Sequence, residues 1–480
     1  MFLVVGGALV GLLLLRWRIS KPTQSLPLPP GPNGIPLIGS VIDMSDKHPW
    51  NKFRDWARDY GDIVHVNLFG HSVIVLNTWK ATVDLLDGRS SNYSDRPNLP
   101  IVPLLGIDWH VPFMPYGPRW RKHRRVIHQL ANDAAVKKQL PIQQRRARQL
   151  LRRLRDAPEA YADHTLFSIG AALMETVYGN LSEAKMEEHL HLAESATQAL
   201  TEAFLPGTLA VQYLPFLRYF PSWMPGGQFQ THLLELRSRV NAFLNKPFYE
   251  VKEAMANGSA DSCFVTRGLR DAEHLKDADL RDEEDLIKYC AAVSQSTLLT
   301  FLLAMVLHPE AQRKAQAELD EDRDALPSAR AGSRRPIGFP HGCSEEDDYG
   351  GYRIPKGATI IPNHWLMLHN PAEYPDPEAF NPGRFLRDGK PDASVRDPNL
   401  VAFGFGRRIC PGRAMADAAL FITIASILHV FAIAPARDEA GNPILPSPTD
   451  VTSALNCRPK PFAYTLAPRS KAAEALIDGL

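Results

Sequence analysis

Residues 403–416, Phe-Gly-Phe-Gly-Arg-Arg-Ile-Cys-Pro-Gly-Arg-Ala-Met-Ala, constrain this chain more than any other stretch, because a glycine-rich loop there delivers a single cysteine to the start of an apolar helix. Pro411 suits a first helical turn, so Cys410 is expected where unpaired backbone N–H groups and the positive end of the helix dipole favour a thiolate. Gly404 and Gly406 let the loop turn tightly and approach a flat ligand, and Gly412 removes a side chain below it. Phe403 can shield the sulfur, and Arg408 can pair with an anionic group on the ligand rim. This set of residues points to a thiolate axial ligand for haem iron. Two other readings were weighed, an inert buried thiol and a nucleophile of phosphatase or protease type. A phosphate-cradling loop would place its glycines and hydroxyls after the cysteine, and a cysteine protease has no use for Phe403 or Arg408.

The rest of the chain is large enough to build a pocket around such a ligand. It has 480 residues, 45% of them hydrophobic, with 54 Lys and Arg against 53 Asp and Glu. A net charge of +1 gives no electrostatic reason to expect nucleic acid. Mean hydropathy of −0.21 excludes a polytopic membrane protein and leaves room for one anchor. Five cysteines, an odd and sparse set, do not make a disulfide framework. Residues 2–15 are apolar or glycine and are followed by Arg16, Arg18 and Lys21, so residues 1–18 read as a signal anchor that leaves the body in the cytosol. Residues 19–35, with Pro27, Pro29, Pro30 and Pro32, read as a stiff extended hinge. Residues 36–480 read as one domain, since no flexible linker interrupts them.

Hydrophobic spacing makes that domain mainly α with a small β-rich portion, an α+β chain. Helices are expected over 118–155, 164–178, 185–204, 228–256, 283–325 and 411–432. Strands are expected over 63–68 and 72–76 as a hairpin around Phe69-Gly70-His71, and over 359–362 and 462–466.

At this point a family resemblance becomes specific. Residues 403–412 resemble the cysteine-ligand signature of the cytochrome P450 superfamily, Phe-x-x-Gly-x-Arg-x-Cys-x-Gly, with every defined position present. Leu28-Pro29-Pro30-Gly31-Pro32 resembles the hinge of its microsomal members, and Phe380-Asn381-Pro382-Gly383-Arg384-Phe385 resembles the segment that supplies an arginine to its structural charge cluster. Trp120-Arg121-Lys122-His123-Arg124 is similar to a motif whose Trp120 and Arg124 would contact a haem propionate, and Pro340-His341 to a further propionate contact. The resemblance implies a cytochrome P450-like fold and haem b (iron protoporphyrin IX) ligated by Cys410, with Phe403, Gly404, Gly406, Arg408, Gly412, Trp120, Arg124 and His341 around it. It also implies a monooxygenase inserting one oxygen atom of dioxygen into a lipophilic substrate, with electrons from NADPH through a cytochrome P450 reductase, and with cytochrome b5 as a second donor. The style is that of fungal microsomal enzymes of secondary metabolism, which implies the endoplasmic reticulum membrane.

Two family elements are missing. The oxygen-activation motif of the long central helix has no counterpart in Leu286–Leu299, where Thr297 and Ser294 are the candidate distal hydroxyls without a neighbouring carboxylate upstream. The Glu-x-x-Arg pair is absent from 321–340, which leaves Arg384 without its charge partner unless Asp320, Glu321 or Asp322 substitutes. The alternative function is therefore an inactive haem-binding or misfolded remnant that lacks internal segments.

Three further features complete the reading. Lys137, Lys138, Arg145, Arg146, Arg148, Arg152, Arg153 and Arg155 form a dense basic region, either a solvated face or a docking surface for an acidic electron donor. The apolar segment 203–226 resembles a substrate-entry lid dipping into a membrane, and residues 98–114 are expected to roof the haem pocket.

Overall fold

The computed structural model describes residues 26–36, 38–41, 43, 49–204, 219, 223, 228–292, 304–321, 337–447, 450 and 459–479. The anchor at 1–18, Ser294, Thr297, Asp322 and most of the 203–226 segment lie outside these residues. The described chain is predominantly helical with small sheets.

Helix α1 (Pro49–Tyr60) leads into strands β1 (Ile63–Leu68) and β2 (His71–Leu76). Phe69 and Gly70 turn between them with φ of 50° and 85°, the left-handed pair that a two-residue hairpin requires. The register runs from Leu68 opposite His71 to Ile63 opposite Leu76. Two strands from far along the chain, β3 (His341–Gly342) and β4 (Thr359–Pro362), complete a sheet of order β1-β2-β4-β3. β4 is parallel to β2, with Val73 opposite Thr359, and antiparallel to β3. Ile74, Leu76 and Ile360 are fully buried beside Leu85 and Tyr93, so this sheet has its own core. The Pro-rich segment runs along it: Pro30 O accepts the His65 amide at 2.9 Å and Pro27 O accepts the Arg353 amide at 2.8 Å.

The helical body follows as α2 (Ile101–Leu105), α3 (Pro118–Ala131), α4 (Asp133–Asp156), α5 (Tyr161–Tyr178), α6 (Glu183–Ala203), α7 (Gln228–Ala256), α8 (Asp277–Ala291), α9 (Pro309–Glu321), α10 (Arg413–Val430) and α11 (Lys471–Asp478). The helix expected over 118–155 is two helices. Asn132 takes extended dihedrals and its side chain accepts the Ala135 amide at 2.9 Å, so one residue ends α3 and caps α4. The stretch 283–325 is likewise divided: α8 closes at Ala291, and His308 stands outside a helix just before Pro309 opens α9. The strand expected at 462–466 is β6 (Tyr464–Pro468), paired antiparallel with β5 (Phe431–Arg437). α9 is stitched to β5 by buried glutamines. Gln312 exchanges two 2.8 Å hydrogen bonds with the Ile433 backbone, and Gln316 donates to Phe431 O at 2.9 Å.

α10 is the one helix among the described residues long and apolar enough to cross a membrane by composition. It packs on α4 and α9, and Ile424, Ile427 and Leu428 belong to a core with Leu154 and Tyr161. That packing makes it a core helix positioned directly behind the cysteine loop.

Charge pairing corrects two expectations. Arg384 needs no carboxylate, because its guanidinium donates to four backbone carbonyls, those of Asn381, Pro375, Asp376 and Ala379, at 2.6–3.2 Å. Asp320 is engaged by Arg469 at 2.6 Å instead. The basic residues of α4 do not form one solvated face either. Arg145 and Arg146 clasp Glu175 of α5, Arg153 pairs with Glu183, and Arg155 pairs with Asp156 and Asp478. Lys137, Lys138, Arg145, Arg148 and Arg152 remain exposed, Arg145 despite its ion pair.

Glu175 is 7% exposed, and Arg146 holds its Oε2 at 2.8 Å. Breaking such a pair leaves a charge uncompensated, whereas an exposed pair such as Lys80–Asp84 adds little. Glu175→Ala is expected to lower unfolding stability by about 3 kcal/mol and Lys80→Ala by under about 1 kcal/mol, as read from urea midpoints of the two variants.

Candidate functional site

The cysteine loop is a tightly specified structure. Phe403 O accepts the Cys410 amide at 2.7 Å, and residues 406–408 make a single 3-10 turn between them. Gly406 has φ of +57°, and a Cβ there would strike the Leu86 carbonyl; its amide donates to Asp87 Oδ1. Glycine at 406 is therefore required both by its left-handed turn, as expected, and by the backbone of its neighbour Leu86. Gly404, at φ +79°, supplies the reversal that brings Phe403 O over Cys410 N. α10 begins at Arg413 with Gly412 as its N-cap, so Cys410 and Pro411 precede the helix rather than opening it. The Cys410 side chain is exposed, and a Cβ on Gly412 would stand 3.9 Å from its sulfur, in van der Waals contact. Glycine at 412 keeps that side of the sulfur open.

Arg408 ties this loop to the opposite wall. Its Nε donates to Ser94 O at 2.7 Å and Nη2 to Met114 O at 2.8 Å, with Nη1 to Val111 O at 3.4 Å. Its guanidinium carbon lies 4.5 Å from the Trp120 ring centroid, a cation–π contact on a residue only 5% exposed. Burial pushes the Arg408 pKa down to about 10; Asp95 opposes that shift and Arg124 adds to it. Arg124 is also lowered by burial, with the Cys410 sulfur pulling the other way, which places that guanidinium in the field of the thiol.

One residue of this cluster carried no signal in the sequence. Arg96 donates from Nε to Pro112 O and from Nη1 to Pro340 O, both at 2.6 Å. Burial and the neighbouring Arg408 push it down to about 9. It lies in a polar stretch without periodicity, Ser90 to Asn98, where nothing distinguishes it from a loop charge beside Asp95. Asp95 beside it turns its carboxylate to the amides of Arg96 and Tyr116, each at 2.9 Å, and its carbonyl to the Gly342 amide at 2.8 Å.

His341, on β3, is 4% exposed, and its Nδ1 lies 2.7 Å from Tyr93 O, which assigns the proton to Nδ1. Burial first, then Arg96, holds it well below the usual histidine range, so it is neutral at pH 7. The structure thus brings Phe403, Gly404, Gly406, Arg408, Cys410, Gly412, Trp120, Arg124 and His341 into one region, with Arg96 added. No cluster of His, Cys, Asp and Glu suited to a metal occurs among the described residues, and the thiol of Cys410 has the Arg124 guanidinium as its charged neighbour.

Aromatic rings cover the neighbouring space. Trp109 stacks on Tyr289 of α8 at 5.5 Å, and Phe113 stacks on Phe204 at 5.1 Å and meets Phe339 edge-on at 6.0 Å. The segment 98–114, expected to roof the haem pocket, packs on α6 and α7 through Ile101, Val102, Leu105 and Ile107 together with Trp109 and Phe113.

Comparison with known proteins agrees with this arrangement. The family model described as Cytochrome P450 matches residues 29–325 and 330–466. Cytochrome P450 monooxygenase COX1 of Coprinopsis cinerea is 36% identical over 95% of this chain and 94% of its own. A cytochrome P450 monooxygenase of Armillaria gallica is 37% identical over 97% of both chains, and a tryptamine 4-monooxygenase of Psilocybe cyanescens is 35% identical over 94% of this chain and 95% of its own. By the extent of these matches the chain belongs to the cytochrome P450 family, as an oxidoreductase of the monooxygenase type whose cofactor is haem b.

Proposed function

We propose that this chain is a haem-thiolate monooxygenase in which Cys410 is the iron ligand. In this reading one oxygen atom of dioxygen enters a lipophilic organic substrate, and electrons come from NADPH through a flavoprotein reductase. The observation that carries the reading is electrostatic. Arg96 lies beside Arg408, Arg408 beside Arg124 and Arg124 beside the Cys410 sulfur, with Asp95 as the carboxylate that faces Arg96 and Arg408; burial first, and a neighbouring guanidinium after it, lowers both Arg96 and Arg408. Two carboxylates on the rim of a flat macrocycle are the counter-charge such a cluster asks for, and guanidinium groups suit carboxylates. The residues fit the group.

When bound, haem would supply the activation of dioxygen, with its iron held by the Cys410 sulfur. The chain supplies the rest. Arg96, Arg124 and Arg408 would neutralise the propionates, with Trp120 flanking Arg408 as a hydrophobic wall. Gly412 leaves the sulfur accessible. Phe113, Phe204 and Phe339 exclude water and accept apolar surface. One relative acts by its name on tryptamine, which supports ring-containing substrates for this scaffold. The anchor at residues 1–18, the endoplasmic reticulum membrane and an acidic donor at the exposed basic residues of α4 belong to the same proposal, as does Thr297 or Ser294 as a distal hydroxyl.

A second reading has its own support. Residues 286–299 place no carboxylate beside Ser294 or Thr297, which favours a chain that binds haem without productive turnover. The two readings part in one assay. The reduced, carbon monoxide-bound full-length protein is expected to show the strongly red-shifted Soret band of thiolate ligation, and Cys410→Ser to lose it; a colourless wild-type preparation after haem supplementation overturns both readings. NADPH oxidation coupled to product in the presence of reductase supports the first reading, and oxidation without product the second.

The cationic cluster gives a further prediction. Each charge-assisted hydrogen bond to a propionate is worth about 1.5–3 kcal/mol, so Arg96→Leu and Arg408→Leu are each expected to weaken haem retention by roughly tenfold to a hundredfold. Haem transfer to apomyoglobin measures this, with circular dichroism reporting that the helical fold persists.

A further inference from the structure

Two polar atoms in the roof have no partner although the space around them is closed. Trp109 is 5% exposed, and its Nε1–H, a group that can only donate, makes no hydrogen bond. The adjacent His110 buries Nδ1 equally without a partner. An unpaired buried donor is an expensive arrangement that folded proteins keep for a reason. Their position supplies one. Arg408 holds the carbonyls of Val111 and Met114, so the segment 109–114 is pinned against the cationic cluster around Cys410. Aromatic contacts then run continuously through the roof. The Trp109 ring lies 5.5 Å from His110, His110 lies 5.6 Å from Phe113, and Phe113 reaches Phe339, which is stacked beneath the Arg96 guanidinium at 5.9 Å. Burial pushes the His110 pKa down to about 4, so this ring is neutral at cytosolic pH and free to use the Nδ1–H tautomer as a second donor.

We infer that Trp109 and His110 are specificity-determining residues that select a ring-containing lipophilic substrate bearing an oxygen acceptor, a carbonyl or hydroxyl, over the corresponding hydrocarbon. The aromatic faces of Phe113, Phe204 and Phe339 take the ring system, and the two nitrogens take the oxygen, whose two lone pairs accommodate two donors. A site built to hydrogen-bond one group rejects the analogue that lacks it, because its own polar atoms then stay unpaired. The inference rests on the proposed monooxygenase reading, since it assigns the roof to the substrate.

The test uses full-length holoenzyme and two probes with the same skeleton, 1-tetralone and tetralin, with dissociation constants from equilibrium dialysis. The wild type is expected to hold 1-tetralone at least about tenfold more tightly than tetralin. Trp109→Phe and His110→Phe keep a ring in place and remove the nitrogen; each is expected to cut the preference to about twofold or less while tetralin binds as well or better. His110→Gln, which restores an amide donor, is expected to recover most of it. A wild-type ratio near one overturns the inference, as does a ratio unchanged in both Phe variants. The carbon monoxide band of each protein separates the two levels: failure with a normal band removes this inference alone, whereas absence of the band from the wild type removes the monooxygenase reading beneath it.

Discussion

The site depends on one partly buried guanidinium. Arg408 sits inside the cysteine loop and spends its donors on Ser94, Val111 and Met114, carbonyls that belong to the opposite wall. A hydrocarbon side chain there would leave three carbonyls without these donors and would free the loop from its roof. The cysteine loop and the roof residues are therefore placed relative to one another by a hydrogen-bond set centred on a single cation, while Arg96 and Asp95 tie in Pro340 and Gly342. Glycine at 406 serves the same end from below, since the Leu86 carbonyl approaches too closely for any side chain.

This organisation explains an apparent contradiction in the electrostatics. Burying guanidinium groups beside one another costs free energy, and burial first, then a neighbouring guanidinium, lowers Arg96 and Arg408. Carbonyl dipoles offset part of it by solvating the guanidinium groups in place of water. Arg384 shows the complementary solution, where four carbonyls suffice and no carboxylate is recruited at all. The absence of a Glu-x-x-Arg pair is thus tolerated at Arg384, and Asp320 is left to bind Arg469.

Local rules explain which parts could be read in advance. Phe69-Gly70 sets a two-residue turn, helices α5, α6, α7 and α10 follow apolar spacing, and the glycines and cysteine of 403–412 state their chemistry at fixed intervals. Asn132 escaped notice because a cap is a single polar residue within an otherwise continuous helical pattern. Arg96 escaped because its role comes from carbonyls at Pro112 and Pro340, and the second of these lies 244 residues away. The partners of Arg145 and Arg146 were hidden for the same reason, since Glu175 sits on the next helix and burial cannot be seen in a run of charges. The distal hydroxyls Ser294 and Thr297 stay at the level of sequence, outside the described residues.

The four-stranded sheet carries a kinetic consequence. Asn77, at the end of β2, accepts a hydrogen bond from Asn363, just beyond β4, across 286 residues of intervening chain. At about 5–20 residues per second, the ribosome needs roughly 15–60 s to make that span. Throughout this interval the Val-Ile-Val-Leu edge of β2 lacks its neighbour, an invitation to pair with the wrong strand. The Pro-rich segment, already bonded to β1 through Pro30 and His65, comes off the ribosome before either strand, so it is available to shield β1 while β2 waits for β4. Yield in a foreign host should therefore respond more to elongation speed and holding chaperones than to the equilibrium stability of the finished enzyme.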